Sequence, residues 1–194
     1  PATLRRQRQM CIRDRDDGSV ILVEIQRGTL TRVSPSGDVD VIADLGGGPN
    51  GAALGPDGHC YVCNNGGFKW YTARDGRVFP GDQPDDYVSG SIQRVNLSTG
   101  AFDTIYDQCE GEPLKGPNDL VFDRAGGFWF TDHGKVRPRD RDRTGVFYAK
   151  PDGSMIREAI FPLEGPNGIG LSPDERTLYV ACLLYTSPSP RDCQ

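Results

Sequence analysis

One pattern occurs three times in the sequence, and it restricts the fold more than any other feature does. Each repeat opens with Gly-Pro-Asn, at Gly48, Gly116 and Gly165, and continues with a short apolar run, a turn containing Asp or Gly, and a second β-prone run. A further hairpin around a turn of Ser, Asp and Gly residues precedes each repeat. Four strands per unit, repeated after about 70 and then about 50 residues, are typical of β-propeller blades.

The sequence therefore predicts an all-β chain, a partial β-propeller with about three four-stranded antiparallel blades and with the first half of an earlier blade missing. The 25 Gly and 15 Pro agree with many short strands joined by turns. We expect the insertion at residues 66–91 to form a loop over one face, and the charged run Asp132–Gly145 to be a solvated loop. Such an arc should expose strand edges and an open flank of its core.

The two ends of the chain lack this rhythm of turns. Met10–Asp14 and Cys182–Ser187 can be written in codons as opposite-strand readings of one short DNA element, which resembles the transposon end used to prepare sequencing libraries. We therefore interpret residues 1–15 and 182–194 as non-native tails, and residues 16–181 as a β-propeller fragment truncated at both ends.

Charge and hydropathy restrict the partners. The net charge is −5, and the central segment is more acidic still because residues 1–15 carry five Arg against one Asp. An acidic surface argues against nucleic acid as a partner. Since no run approaches the roughly 18 apolar residues of a membrane span, we expect no membrane partner and a cytoplasmic location. The oligomeric state is not predicted.

The central segment contains three Cys residues, and two of them, Cys60 and Cys63, form the motif Cys-Tyr-Val-Cys. The motif lies in a strand pattern, where residues three apart point to opposite faces, and no second pair accompanies it. We therefore interpret Cys60, Cys63 and Cys109 as small buried residues in a reducing compartment, rather than as a zinc or redox site.

The Asn of each repeat is the main candidate for chemistry. In a propeller the innermost strand of each blade begins beside the central channel, so Asn50, Asn118 and Asn167 would meet at one mouth of that channel. Hard cations such as calcium and magnesium take oxygen ligands, and an Asn amide supplies one without adding charge. A second interpretation stays open, because Asn before Gly, and Pro-Asn, also favour tight turns.

The motifs "GPNDLVFDRAGGFWFTD" and "GPNGIGLSPDERTLYVA", together with "VEIQRGTLTRV", resemble consecutive blades of the regucalcin (senescence marker protein)/gluconolactonase/lactonase family. Members of that family are six-bladed propellers that hold one divalent cation in the channel and hydrolyse lactones. The resemblance implies that Asn167 is a metal ligand and that Asn118 contacts the metal or its water and the substrate. It also implies that Asp119 and Asn50 line the substrate pocket.

His133 follows a predicted strand at an end that would face this pocket, and it is a candidate to hydrogen-bond substrate. The alternative for His133 is an ordinary surface loop, and Asp132 could orient it or cap the turn. The sequence also departs from the family. Its early Glu ligand is absent, and its Asp ligand, which serves as general base, would lie beyond Val180. Glu24 is interpreted as structural or solvated and does not replace the missing Glu.

These features together predict a fragment of a divalent-metal-dependent, gluconolactonase-like hydrolase that opens small lactones with metal-activated water. Calcium is the expected cation, with zinc, magnesium and manganese as alternatives. We expect the intact parent to be an enzyme and the 194-residue chain alone to be inactive. The alternative functions are a strictosidine-synthase-like propeller and a non-enzymatic propeller that binds a ligand, calcium or another protein.

Overall fold

The computed structural model describes residues 12–183. Within that range the regular secondary structure consists of β-strands alone. The strands up to Val95 are β1 (Ile12–Asp14), β2 (Val20–Glu24), β3 (Thr29–Val33), β4 (Val39–Asp44), β5 (Pro49–Leu54), β6 (Cys60–Asn64), β7 (Trp70–Thr72), β8 (Val78–Pro80) and β9 (Ser91–Val95). Those that follow are β10 (Phe102–Tyr106), β11 (Gln108–Cys109), β12 (Glu112–Pro113), β13 (Pro117–Phe122), β14 (Phe128–Asp132), β15 (Thr144–Ala149), β16 (Ile156–Leu163), β17 (Pro166–Leu171) and β18 (Leu178–Cys182). The described residues thus include no helix that could cross a membrane.

Three four-stranded antiparallel sheets form from the described residues, and the prediction of an all-β chain is confirmed. The first sheet is β1-β2-β3-β4, the second has the order β10-β9-β6-β5, and the third is β13-β14-β15-β16. A fourth sheet contains β17 and β18, and β7–β8 and β11–β12 are separate hairpins. As the repeats predicted, the second and third sheets each consist of a Gly-Pro-Asn strand, a second strand and a hairpin.

The first sheet differs from the expectation that its first half would be missing. Strand β1 pairs with β2 and supplies a first strand, with Asp14 opposite Val20. This strand lies within residues 1–15, whose interpretation as a non-native tail stays a prediction. The first sheet therefore has the same four-strand plan as the second and third.

Side chains on the two faces of β6 pack into two separate apolar clusters. Tyr61 and Cys63 belong to the cluster shared with the third sheet, whereas Cys60 and Val62 belong to the cluster shared with the first sheet. This alternation follows from the two-residue period of a strand. The predicted burial of Cys60, Cys63 and Cys109 is confirmed.

The aromatic run of β14 shows the same alternation. Phe128 and Phe130 are fully buried, and Phe130 stacks on Phe147 with ring centroids 5.1 Å apart. Trp129 lies half-buried on the opposite face, with its ring 4.8 Å from that of Tyr148. The first two rings fill the core between sheets, while Trp129 covers the other side of the third sheet.

Two segments expected to be loops contain more structure than the sequence indicated. The insertion at residues 66–91 forms the β7–β8 hairpin, because the Asp75-Gly76 turn joins two β-prone runs. The charged run Asp132–Gly145 folds inward at both ends. Asp132 and Lys135 are buried near its start, and Thr144 is buried near its end. The expectation of a solvated loop holds for the tip, where Arg139 and Asp140 are exposed.

The fourth sheet has one apolar face uncovered. Tyr61 in β6 and Tyr179 in β18 hold equivalent positions, opposite Ala53 and Gly170. Tyr61 is 0% exposed, because its ring packs 5.0 Å from Phe122 of the third sheet. Tyr179 is 61% exposed. The difference arises because no described sheet follows β17–β18, which agrees with the expected open flank.

Candidate functional site

Each Gly-Pro-Asn repeat places its Asn at a β-bulge near the start of β5, β13 or β17, which are edge strands of their sheets and are called the inner strands below. In β5, Pro49 pairs with Asn64 and Gly51 pairs with Cys63, so Asn50 is the extra residue. A bulge leaves such a residue outside the regular ladder, changes the direction of its side chain, and is common beside active sites. The Asn therefore lies within the strand, rather than immediately before it as the sequence suggested.

The other two repeats have the same irregularity. In β13, Asn118 and Asp119 together lie opposite Thr131, and in β17, Asn167 and Gly168 together lie opposite one residue of β18. Strand β13 packs against both β5 and β17. The three bulges consequently lie at the same end of three neighbouring inner strands.

The three Asn residues differ in how far they are exposed to solvent. Asn50 is 9% exposed and Asn118 is 8% exposed, whereas Asn167 is half-buried. An Asn side-chain amide presents two N–H donors and one acceptor oxygen, so three such amides at one end of neighbouring strands are suited to bind a ligand or ordered water.

The donor chemistry of these residues decides whether they fit a divalent cation. Residues 12–183 contain no group of three or more His, Cys, Asp or Glu side chains placed to hold a metal ion. The amide oxygens of Asn118 and Asn167 are nevertheless neutral hard donors of the kind that calcium accepts. The described residues thus fit the neutral part of an oxygen ligand shell.

The carboxylate of Asp119 contacts backbone groups at the junction of two sheets. One oxygen accepts a hydrogen bond from the N–H of Leu120 at 2.9 Å, and the other accepts one from the N–H of Ile169 at 3.2 Å. Asp119 therefore connects β13 to β17 immediately beside Asn118. The role of Asp119 in lining a pocket stays a prediction. The structure adds that its carboxylate also joins two strands.

His133 reaches from the end of β14 to the beginning of the next repeat. Its Nδ1 lies 3.3 Å from the carbonyl oxygen of Pro166. Burial lowers the pKa of His133, and the positive charges of Arg141 and Lys135 act in the same direction. A neutral imidazole with Nδ1–H donating to Pro166 would present Nε2 as an acceptor.

Asp132 caps the loop that leads into the second repeat, and it does not contact the ring of His133 in any hydrogen bond among the described residues. Its Oδ1 accepts from the N–H groups of Gly116 at 2.7 Å and Gly134 at 2.8 Å, and its Oδ2 accepts from that of Lys115 at 2.7 Å. Burial raises the pKa of Asp132, and the three N–H groups oppose that rise.

The same cap occurs one sheet earlier, where Asn64 Oδ1 accepts from the N–H of Gly48 at 2.8 Å and that of Gly66 at 3.0 Å. In both sheets the capping residue follows the first Gly of the repeat by 16 positions. In the fourth sheet Cys182 is the corresponding partner of Pro166. The spacing of 16 positions shared by the second and third sheets is the sequence signal that would have identified this role.

Sequence reasoning did not identify Lys135, which lies beside the site and is 2% exposed. Its ammonium donates to the carbonyl oxygen of Gly67 at 2.6 Å and to Oδ1 of Asn65 at 3.4 Å. The same nitrogen lies 4.6 Å from the ring centroid of Phe68 and 5.1 Å from that of Tyr87. Burial lowers the pKa of Lys135 to about 8. This lysine attaches the third sheet to the segment that follows β6.

Glu24 has the structural role that the sequence analysis assigned to it. Its carboxylate accepts hydrogen bonds from the hydroxyls of Thr29 at 2.8 Å and Thr31 at 2.6 Å, and it pairs with Arg27 at 2.8 Å. All these partners lie in or beside the first sheet. Glu24 thus stabilises the β2–β3 hairpin.

The chain is similar in sequence to gluconolactonases and lactonases. The profile of the SMP-30/Gluconolactonase/LRE-like region matches residues 10–184. A gluconolactonase from Zymomonas mobilis is 31% identical over 150 residues, which covers 73% of this chain and 35% of the relative. Lactonase drp35 from Staphylococcus aureus is 28% identical over 165 residues, which covers 84% of this chain and 44% of the relative.

A solved structure also resembles the described fold. It is a gluconolactonase from Xanthomonas campestris, and it superposes with a TM-score of 0.64 at 25% identity. The alignment covers 86% of this chain and 51% of that chain. This chain therefore spans between about a third and about a half of the proteins it matches, and its fold is β-propeller-like.

Proposed function

Because this chain belongs to the SMP-30/gluconolactonase/LRE-like family, whose profile covers residues 10–184, we propose that it forms part of a divalent-cation-dependent lactone hydrolase. Its named relatives include a gluconolactonase and lactonases, which support lactone hydrolysis in general. The observation that carries the proposal is the set of three bulged Asn residues on neighbouring inner strands. The substrate would be a small lactone or sugar-acid lactone.

In this proposal the described sheets are part of a six-bladed propeller. The three four-stranded sheets and the β17–β18 pair would surround one side of a central channel. Their inner strands β5, β13 and β17 would line that channel. The uncovered face of β17–β18 supports the idea that a further sheet belongs beside it.

We assign the cation to the amide oxygens of Asn118 and Asn167, with calcium as the first candidate and zinc, magnesium or manganese as alternatives. When bound, such a cation polarises an ester carbonyl and lowers the pKa of water. Asn118 and Asn50 would orient the lactone through their amides. Asp119 would contribute by its hydrogen bond to the Ile169 N–H of β17, beside the place that the lactone ring would occupy.

His133 is assigned to the substrate side of the site. The Nδ1 contact with Pro166 orients the imidazole, and the lowered pKa keeps it neutral near neutral pH. A neutral Nε2 can accept a hydrogen bond from a substrate hydroxyl. This role does not require His133 to carry charge during the reaction.

The test is proton release from a panel of lactones, measured with a pH indicator in the presence of calcium and then of a chelator. The full-length protein that carries this sequence and the 194-residue chain are assayed in parallel, with the Zymomonas mobilis gluconolactonase as positive control. We expect chelation to abolish hydrolysis by the full-length protein. Hydrolysis that persists undiminished in chelator would contradict the cation-dependent proposal.

Substitutions at the site distinguish a loss of cation binding from a general loss of the fold. Asn118→Ala and Asn167→Ala should each lower calcium affinity and activity at least about tenfold, since each removes one of few ligands. Asn96→Ala is the matched control, because Asn96 accepts a hydrogen bond from Ser98 in the β9–β10 turn. Calcium binding with no hydrolysis of any lactone would favour the non-enzymatic alternative. The expected inactivity of the 194-residue chain is decided by the same assay.

A further inference from the structure

We propose that Asp119 and Thr131 are positioning residues that set the placement of Asn167 relative to Asn118. The proposal rests on the proposed function for its consequence, which is the geometry of the cation and substrate site. It is carried by hydrogen bonds from the third sheet to both sides of the bulge in β17.

Thr131 joins two consecutive bulges through one hydroxyl. Its Oγ1 donates to the carbonyl oxygen of Asn167 at 2.5 Å and accepts from the N–H of Asp119 at 3.3 Å. The side chain is completely buried. The hydroxyl therefore has both its donor and an acceptor position engaged by the backbone at the two bulges, where ladder hydrogen bonds are lost.

Asp119 completes the arrangement on the other side of the same bulge. Its carboxylate accepts from the N–H of Ile169 at 3.2 Å, two residues beyond the Asn167 carbonyl that Thr131 binds. The backbone on either side of the Asn167 side chain is thus held by the third sheet. A carboxylate acceptor makes this a stronger hydrogen bond than a neutral one.

The preceding junction, between β5 and β13, includes a direct backbone contact. Gly51 and Cys63 occupy the positions in the second sheet that Asp119 and Thr131 occupy in the third. A Cβ atom on Gly51 would lie 2.6 Å from the Cα atom of Asp119, so the backbones of β5 and β13 touch directly. Strands β13 and β17 are connected through the side chains of Asp119 and Thr131.

The side-chain hydrogen bonds between β13 and β17 have a consequence for the site. The gap between the Asn118 and Asn167 amides depends on the length and charge of Asp119 and on the Thr131 hydroxyl. Residues that orient ligands from behind typically change metal affinity by about 10-fold to 100-fold when they are removed. Asp119 and Thr131 should therefore control which cation and which ligand size the pair of amides accepts.

The experiment uses the full 194-residue chain and compares Thr131→Val and Asp119→Ala with the wild type. Thr131→Val keeps the shape and removes the hydroxyl, whereas Thr131→Ser keeps the hydroxyl and serves as the rescue variant. Thr144→Val is the matched control, because Thr144 is a buried residue whose hydroxyl binds the Asp132 carbonyl within the third sheet. Circular dichroism verifies that each variant is folded.

Two measurements are made on each variant. Nuclear magnetic resonance follows hydrogen exchange at the Ile169 N–H and the side-chain amide signals of Asn118 and Asn167. Calorimetry measures calcium affinity. We expect Thr131→Val and Asp119→Ala to accelerate Ile169 exchange, to shift the Asn167 amide signal and to weaken calcium binding at least about tenfold. Thr131→Ser and Thr144→Val should stay within about twofold of the wild type in affinity.

The outcomes distinguish this inference from the proposed function. If the wild type binds calcium and the two variants bind it equally well, the inference is overturned and the proposed function stands. If the 194-residue wild type binds no calcium, the measurement is repeated on the full-length protein that carries this sequence, and absence of binding there means that the cation proposal fails. The Asn167 amide signal then decides the inference: a shift in Thr131→Val but not in Thr131→Ser supports it, and no shift overturns it.

Discussion

A Cβ atom placed on Gly51 would lie 2.3 Å from the carbonyl oxygen of Asn118, so two neighbouring inner strands touch through their backbones beside two of the bulged Asn residues. Such a distance is too short for any side chain at position 51. The close contact explains why the second repeat of the site can lie directly against the first. It also gives a direct test of the packing between β5 and β13.

Gly51→Ala should lower the free energy of unfolding by about 2 kcal/mol, because the new methyl group meets backbone that cannot move aside without separating the strands. Gly170→Ala is the matched control, since a Cβ atom there would meet nothing within 4 Å. Urea unfolding followed by circular dichroism measures both changes. Equal stability of the two variants would contradict the direct contact between β5 and β13.

Asp132→Ala should lower the free energy of unfolding by about 3 kcal/mol, because it leaves three N–H groups, two of them buried, without their acceptor. Asp132→Asn should cost less, since one amide oxygen can still serve Gly116 and Gly134, as Asn64 does in the second sheet. Asp140→Ala is the surface control, with an expected change within about 0.5 kcal/mol. A loss in Asp132→Ala no larger than in Asp140→Ala would show that the cap contributes little.

The stability of the protein should depend on Lys135 at alkaline pH. The pKa of Lys135 is about 8 in the folded protein and 10.5 when unperturbed. Between those values the unfolded state binds more protons, so this group makes the free energy of unfolding rise with pH, by at most about 1.4 kcal/mol per pH unit. Below the folded value the cost of burying the charge is fully present.

Lys135→Met removes this contribution. The stability difference, wild type minus Lys135→Met, should therefore increase as the pH rises above about 8, in urea unfolding measured from about pH 7 to about pH 9. Lys69→Met is a control, because Lys69 pairs with Asp85 at the surface and carries no burial cost of this kind. A difference that is constant across this range would show that the Lys135 ammonium is not desolvated.

The thiols of Cys60, Cys63 and Cys109 should react slowly in the folded protein, because all three are buried and burial raises the pKa of the Cys109 thiol. Alkylation followed by peptide mass spectrometry should show at least about tenfold slower labelling in buffer than in urea. Cys182, which is partly exposed, provides an internal comparison. Equal labelling of Cys60 in both solutions would contradict the packing of β6.

The strand plan could be predicted because its signals are local. Alternating β-prone residues and turns such as Asp152-Gly153 specify hairpins within about a dozen residues, and the hairpins before each repeat are present as expected. The β7–β8 hairpin followed the same rule and could have been recognised from Asp75-Gly76. The burial of Lys135 could not, because it depends on Phe68 and Tyr87, which lie far away in sequence.

The candidate site, like the fold, could be predicted from the sequence only in part. The recurrence of Asn50, Asn118 and Asn167 after Gly-Pro was visible in the sequence, and it identified the residues that lie at equivalent points of three inner strands. Their bulges were not visible, since a bulge depends on the register between two strands and on the loop cap supplied by Asn64 or Asp132.

By itself, the sequence determined the all-β class, the repeating four-strand unit and the identity of the Asn residues, because turn chemistry and strand alternation act between near neighbours. Only the tertiary structure decided how one repeat meets the next. Gly51 allows backbone contact on one side of β13, whereas Asp119 and Thr131 form side-chain hydrogen bonds on the other. Contacts of this kind join residues that are distant in the chain, and their distances exist only after the sheets have packed together.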